Sequence, residues 1–216
     1  MSRTVKRAAP KRPYDATRRR EQAEQTRIRV LETARDLFID QGYGRTTVAD
    51  IAHAAGVSTE TVYATYRNKP TLLHHVWYTT FRGDDADIRL LHRPEIQAVL
   101  AEPDLATRFR LHARTMAPIM RRFTPLLRAL EAAAAHERAA ADIVHEYDDG
   151  RLDACLHYAQ AAAATGRLAV SVEECADLLY ATLDGHLWHR LVLERGWSDE
   201  HFADWLGELL VATLVQ

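Results

Sequence analysis

Apolar positions recur every three or four residues along most of the chain. Ile28, Leu31, Ala34, Leu37 and Phe38 fall on one stripe of a helix, and Gly42 with Gly44 is expected to end it. No segment alternates apolar and polar residues between turn dipeptides, as a half-buried strand would, so the pattern predicts an all-α protein. Further starts are signalled by Thr124 before Pro125, by Ser171 with Glu174 three residues on, and by Ser198 after the Gly196 stop. Gly185 and Gly207 lie inside periodic stretches and are read as positions of close helix packing. No internal repeat is visible. The longest apolar run, Leu209 to Val215, is interrupted by Thr213 and falls far short of the ~20 residues a membrane span needs.

With 216 residues, the chain has room for one or two domains at roughly 150 residues each. Its 47% hydrophobic and 27% charged residues are ordinary for a globular protein. Cys155 and Cys175 are too few for a disulfide scaffold, and no apolar core follows the basic start to make a secretory segment, so a cytoplasmic location is expected. Charge changes the picture more. Residues 1–70 hold 14 Lys and Arg against 8 Asp and Glu, a balance of +6, whereas residues 71–216 hold 14 against 22, a balance of −8. Eight of the basic groups lie in residues 1–20, facing only Asp15. This Pro-containing arm has little apolar surface to offset its ordering entropy and is expected to be disordered when free. It serves either as a solubilising tail or as a DNA-contacting arm. The shift from basic to acidic near residue 70, with Trp77, Trp188, Trp197 and Trp205 all beyond it, marks a module boundary that one continuous helix is expected to cross. The expected division is an arm over 1–20, a DNA-binding unit over 21–69, and a helical unit over 70–216.

Residues 46–66, TTVADIAHAAGVSTETVYATY, parse as two short helices joined by a tight turn at Gly56. Thr47 with Asp50 makes a capping box for the first helix, and Ser58 caps the second. Val48, Ile51, Ala52, Val57 and Val62 supply an apolar face to pack on the helix of Leu31 and Phe38, with Ala54, Ala55 and Gly56 permitting close approach. This is a helix-turn-helix arrangement, whose second helix presents its N-terminal residues to the major groove. Thr59, Glu60, Thr61, Ala64 and Thr65 are short enough to reach base edges, and Glu60 can accept from cytosine N4. Tyr63, Tyr66 and Lys69 are placed for phosphates, which position without reading sequence.

From Leu31 to Leu73, through the Gly-Val-Ser turn, the Thr-Val-Tyr core and the Asn-Lys-Pro lead into a fourth helix, the chain resembles the DNA-binding region of the tetracycline-repressor-like (TetR) family of transcriptional regulators. The resemblance covers about the first third. It implies DNA contacts at Thr47, Ser58, Thr59, Glu60, Thr61, Tyr63, Tyr66 and Lys69. Tyr66 stands where phenylalanine is commoner, and Pro70 where a charged residue is common; proline is tolerated in a first helical turn.

Beyond residue 70, Ser171–Arg195 carries apolar residues on two faces: Ala176, Leu179, Tyr180, Leu183, Leu187 and Leu191 on one, Leu178, Trp188 and Val192 on the other. The last helix adds Phe202, Trp205, Leu206, Leu209, Leu210 and Leu214. That is more apolar surface than one small domain covers, and it predicts a homodimer with Trp188, Leu191, Trp205 and Leu209 at its interface. The family resemblance implies the same pairing through the last two helices. It further implies an effector pocket in the middle of the chain, for which the polarizable and aromatic candidates are Trp77, Phe81, His112, Met116, Met120, Phe123, Tyr147 and Tyr158. Pro118 is expected to kink its helix beside Met116 and Met120.

His186 and His189 share a helix face, but no Glu-x-x-His, His-Glu-x-x-His or Cys-x-x-Cys pattern accompanies them, so no metal site is expected. No nucleophile elbow, phosphate loop or dinucleotide fingerprint occurs, and neither a cofactor nor an enzyme is expected. The sequence therefore predicts a three-helix helix-turn-helix domain joined to a helical bundle for effector binding and dimerisation. The expected partners are double-stranded operator DNA, a small apolar or aromatic effector and a second copy, with no membrane. The rival readings are a constitutive or architectural DNA-binding protein and an all-helical enzyme.

Overall fold

The computed structural model describes residues 14–84, 86 and 88–216. Ten α-helices follow one another in these residues: α1 (Tyr14–Gln41), α2 (Val48–Ala55), α3 (Thr59–Tyr66), α4 (Lys69–Arg82), α5 (Pro94–Ala101), α6 (Leu105–Ala134), α7 (Arg138–Thr165), α8 (Val172–Thr182), α9 (His186–Trp188) and α10 (Asp199–Leu214). A 3-10 turn at Leu90–His92 precedes α5, and a π-helical stretch, His189–Glu194, continues α9. Among the described residues the sole β pairing is an isolated bridge between Leu168 and Val215. No helix among the described residues is long and apolar enough to cross a membrane.

The first three helices fold around Phe38, Ile51 and Val62, all fully buried. Gly42 terminates α1 with φ 83°, a conformation that costs glycine nothing. Thr46 then closes the α1–α2 turn, its buried hydroxyl donating to the carbonyls of Leu37 and Gly42. The basic arm expected over 1–20 is shorter in the structure. α1 already runs from Tyr14, so residues 14–20 are helical, and residues 1–13 lie outside the described residues.

α4 crosses residue 70 without a break. Asn68 caps it by accepting from the Thr71 N–H at 2.8 Å, and Leu72, Leu73 and Val76 are completely buried. Its far end is held by α6. The Arg122 guanidinium donates to the carbonyls of Thr80 and Phe81 at 2.7 and 2.8 Å, satisfying groups that a helix C-terminus leaves open.

Three expectations for the remainder are corrected. Thr124–Pro125 starts no helix. α6 passes through both Pro118 and Pro125, because Phe123, Leu126, Leu127 and Leu130 are buried on either side of the missing N–H donors and packing outweighs the lost bonds. Ser171–Arg195 is not one helix. Gly185 adopts φ 90°, and a Cβ there would stand 2.3 Å from the Thr124 hydroxyl, so α8 stops and a new segment leaves on a different register. Gly185 is thus a break as well as a close approach, whereas Gly207 is a close approach within α10, a Cβ there falling 3.1 Å from the Arg110 Cα. That packing of α10 on α6 is flanked by Arg110–Glu208, Arg114–Asp204 and Arg121–Asp199 pairs at 2.6–2.9 Å.

Candidate functional site

The helix-turn-helix is assembled by its caps. The Thr47 side chain accepts from the Asp50 N–H while Asp50 accepts from the Thr47 N–H at 2.9 Å, a complete capping box. Gly56 follows α2 at φ 66°. A Cβ there would touch nothing, so glycine is required by backbone sign rather than by helix approach, and of the small residues expected to admit that approach only Ala55 is buried while Ala54 is exposed. Ser58 accepts from the Thr61 N–H and starts α3.

The expected DNA contacts separate into two groups. Thr47, Ser58, Glu60, Thr61 and Tyr63 are exposed and Thr59 is half-buried, so the first turn of α3 forms an open surface of short polar side chains. Glu60 is held below the usual carboxylate range, first by its own backbone N–H at the helix start and then by Ser58, so it is an acceptor only. Tyr66 and Lys69 depart from the expectation. Tyr66 is 3% exposed, its ring edge-on to His75 at 5.3 Å, and it belongs to the domain core rather than to a phosphate-facing surface. The Lys69 ammonium is engaged internally, donating to the Tyr43 carbonyl at 2.5 Å and lying 4.0 Å from the centroid of the Tyr43 ring.

A cavity of about 1290 Å³ opens between α4, α6, α7 and α8. Seven of the eight residues expected there line it: Trp77, Phe81, His112, Met116, Phe123, Tyr147 and Tyr158. Met120, one helical turn from Met116, is completely buried and does not line it. At one end Trp77 stacks on Phe81 at 5.7 Å, and Phe123 and Tyr147 meet this pair edge-on at 5.3–6.2 Å. The rim is polar, formed by Arg82, Glu146, Asp149 and Asp153 among others. Tyr78 donates to Glu146 there, and burial together with this bond pushes its hydroxyl up to about 12.

Two connections between the cavity and the helix-turn-helix carried no sequence signal. Arg122 ties α6 to the C-terminus of α4, and nothing about an arginine in a long helix announces it. Glu137, at the start of α7, approaches the α1–α2 turn so closely that a Cβ on Gly44 would stand 3.0 Å from its carboxylate, and its charge bears on Tyr43 and Lys69.

The expected interface residues also divide. Leu209 is exposed and Leu191 and Trp205 are half-buried, but Trp188 is 2% exposed and donates to Asp199 at 2.8 Å. The register change at Gly185 turns it into the monomer core, correcting its assignment to the interface. His186 lies near Glu131 and Asp184, and His189 near Glu194, so the two imidazoles face separate carboxylates. Among the described residues no group of three metal-ligating side chains converges.

Residues 30–76 match the model of the family described as bacterial regulatory proteins, tetR family. The chain is 41% identical over 56 residues to the HTH-type transcriptional regulator TtgR of Pseudomonas putida, a match covering 26% of this chain and 27% of that protein. It is 34% identical over 62 residues to the regulator AcrR of Shigella flexneri, covering 29% of each. The matched segment thus spans little more than a quarter of these relatives. The fold extends further. NalD, the secondary repressor of the MexAB-OprM multidrug efflux pump in Pseudomonas aeruginosa, superposes with a TM-score of 0.63 at 22% identity over 90% of this chain and 98% of its own.

Proposed function

From the match of residues 30–76 to the family model of bacterial regulatory proteins, tetR family, we propose that the protein is a homodimeric transcriptional repressor whose hold on a palindromic operator is released by a small, largely apolar or aromatic effector. The observation that carries this reading is the placement of α4. Its N-terminus is fixed to the helix-turn-helix through Lys69 and Tyr43, while Trp77 and Phe81, about two and three turns on, line the cavity. An effector that prefers one disposition of α4 shifts the population of dimers whose recognition helices match successive major grooves, by as much as its affinities for the two states differ. A dimer is required because two recognition helices read half-sites about one DNA turn apart. The partly exposed apolar residues Leu191, Leu193, Trp205 and Leu209 offer a surface for that pairing.

The test screens apolar and aromatic compounds for thermal stabilisation, then for release of bound operator. A compound that stabilises the protein and releases operator, and that loses the second effect in a Trp77→Ala, Phe81→Ala double variant, supports the reading. Release that is unchanged in the double variant refutes the role of α4. Stabilising compounds that never weaken operator binding favour a constitutive DNA-binding protein instead.

A further inference from the structure

At the end of the cavity away from Trp77 and Phe81 stand two polar side chains that the fold leaves unsatisfied. His112 of α6 is 3% exposed, and neither ring nitrogen has a hydrogen-bond partner. Tyr158 of α7 is 9% exposed, and its hydroxyl also lacks one. Both line the cavity, their rings 4.3 Å apart with planes inclined at 55°. A buried donor or acceptor without a partner destabilises the fold, and two such groups side by side are a standing penalty that packing does not explain. Of the other buried polar atoms without a partner, the Thr124 hydroxyl faces Gly185 and lines no cavity, and the Arg151 Nε belongs to a cavity-lining guanidinium whose terminal nitrogens already donate to the Tyr180 carbonyl and to Asp148.

We propose that His112 and Tyr158 form the polar recognition end of the effector site, and that they select an uncharged ligand carrying a hydroxyl or carbonyl group on an elongated aromatic body. This deepens the effector reading above and rests on it. The dimensions follow from α6. His112, Met116 and Phe123 share a face, and the eleven-residue separation of the outer two corresponds to about 16 Å of helix. An aromatic body lies against Trp77, Phe81 and Phe123 at one end and places its polar group between His112 and Tyr158 at the other. Neutral imidazole offers one donor and one acceptor, and the phenol offers both, so a ligand hydroxyl can donate to one ring and accept from the other.

Neutrality follows from the surroundings. Burial alone holds the His112 imidazole well below its usual range, to about 4, with no neighbouring charge contributing. The charge of Arg108, one turn before His112, bears on Tyr158, but its guanidinium already donates to the carbonyls of Glu102 and Ala161, and Arg151, also on the cavity wall, donates to the Tyr180 carbonyl and to Asp148; a carboxylate would therefore find no open cationic donor at the pair unless His112 took up a proton. The acidic rim residues Glu146, Asp149 and Asp153 lie on α7 before Tyr158 and are at least partly solvated. Desolvating a charged ligand against this pair is therefore disfavoured relative to a neutral hydroxyl.

The test uses the full-length protein and four compounds that share a biphenyl body: para-phenylphenol, para-methylbiphenyl, para-phenylbenzoate and para-phenylbenzylammonium. Affinities are measured by calorimetry for the wild type and for His112→Phe and Tyr158→Phe. The phenol is expected to bind roughly tenfold more tightly than its methyl counterpart, and each variant should bring that ratio near one with little change for the methyl compound. Ligand-free melting temperatures should stay level or rise in both variants, because each removes an unsatisfied group, whereas a purely structural role would lower them. Tyr158→Phe, which deletes a single oxygen, carries the test if His112→Phe does not fold. Equal binding of phenol and methyl compound by the wild type overturns the inference and leaves the effector cavity standing. A preference retained in both variants, or tightest binding of the benzoate or the ammonium, overturns it equally. Failure of all four compounds to bind overturns the inference together with the aromatic effector reading.

Discussion

Lys69 binds the residue whose ring it covers: its ammonium donates to the Tyr43 carbonyl at 2.5 Å and lies 4.0 Å from the Tyr43 ring centroid. The first residue of α4 is thereby fastened to the turn between α1 and α2, and Glu137 brings a negative charge from the start of α7 to the same place. Burial, then Glu137, pushes the Tyr43 hydroxyl up to about 12. Burial lowers the Lys69 ammonium from its usual range, with Glu137 opposing.

A lysine already engaged in this way contributes to stability more than to DNA affinity. Lys69→Met, which keeps the apolar stem, is expected to cost about 1–2 kcal/mol in urea unfolding, the range of a charge-assisted hydrogen bond partly open to solvent. The slope of log affinity against log salt should change by much less than the ~0.9 expected for a lost phosphate contact. A loss near 0.9 with unchanged stability would restore Lys69 to the DNA surface.

Glu60 and Thr47 are expected to fail differently. Glu60→Ala removes an exposed acceptor on the first turn of α3; it should leave the melting temperature nearly unchanged and relax the preference at one base pair by about 1–3 kcal/mol. Thr47→Ala breaks the capping box and should destabilise the protein by about 1 kcal/mol. Parallel unfolding curves and binding to single-base operator variants separate the two. If Glu60→Ala weakened binding to every operator equally, Glu60 would not be a base reader.

Trp188→Ala is expected to cost about 3–5 kcal/mol as a core truncation that also strips Asp199 of a donor. Leu209→Glu, on the exposed face of α10, should leave the fold intact and shift sedimentation from dimer to monomer. A dimeric Leu209→Glu variant would place the interface elsewhere.

The pH dependence of stability carries a signature of His112. Its folded value, about 4, lies below the 6.5 of a free imidazole. Between these values the unfolded chain binds more protons than the folded one, so stability falls as pH drops from 6.5 toward 4, by up to ~1.4 kcal/mol per unit. Above 6.5 the contribution is constant. Denaturant titrations should show His112→Phe gaining stability relative to wild type as pH falls from 6.5 toward 4, so that the two diverge from their difference at pH 7.5, and parallel curves would mean that His112 protonates in the folded state as readily as in the unfolded chain.

The recognition unit was legible from sequence because its determinants are local. Thr47, Asp50, Gly56 and Ser58 act on backbone within four residues of themselves, and the structure uses each as the spacing implies. The bundle was less legible because its turning points are set by distant partners. Pro125 stays helical because the residues around it are buried, and Gly185 breaks its helix in a left-handed turn against Thr124, sixty residues earlier. Once that break shifts the register, a periodicity computed through it assigns Trp188 to the wrong face. The cavity residues on α4, α6 and α7 were legible as a set of large polarizable side chains, whereas Met120, on the same face of α6, is enclosed by packing that no local spacing announces. The internal bond of Lys69 was not legible for a similar reason, since its partner is a backbone carbonyl 26 residues away.

The central claim is that a dimer reads a palindrome through the first turn of α3. The measurement that tests it most directly is selection of bound sequences from randomised duplex DNA by the full-length protein at near-physiological salt, followed by sequencing. The expected result is enrichment of an inverted repeat with half-site centres about one helical turn apart, lost when Glu60 and Thr61 are both replaced by alanine. Retention of DNA with no enriched sequence would contradict it, leaving only the charge-driven binding that a basic N-terminal segment provides on its own.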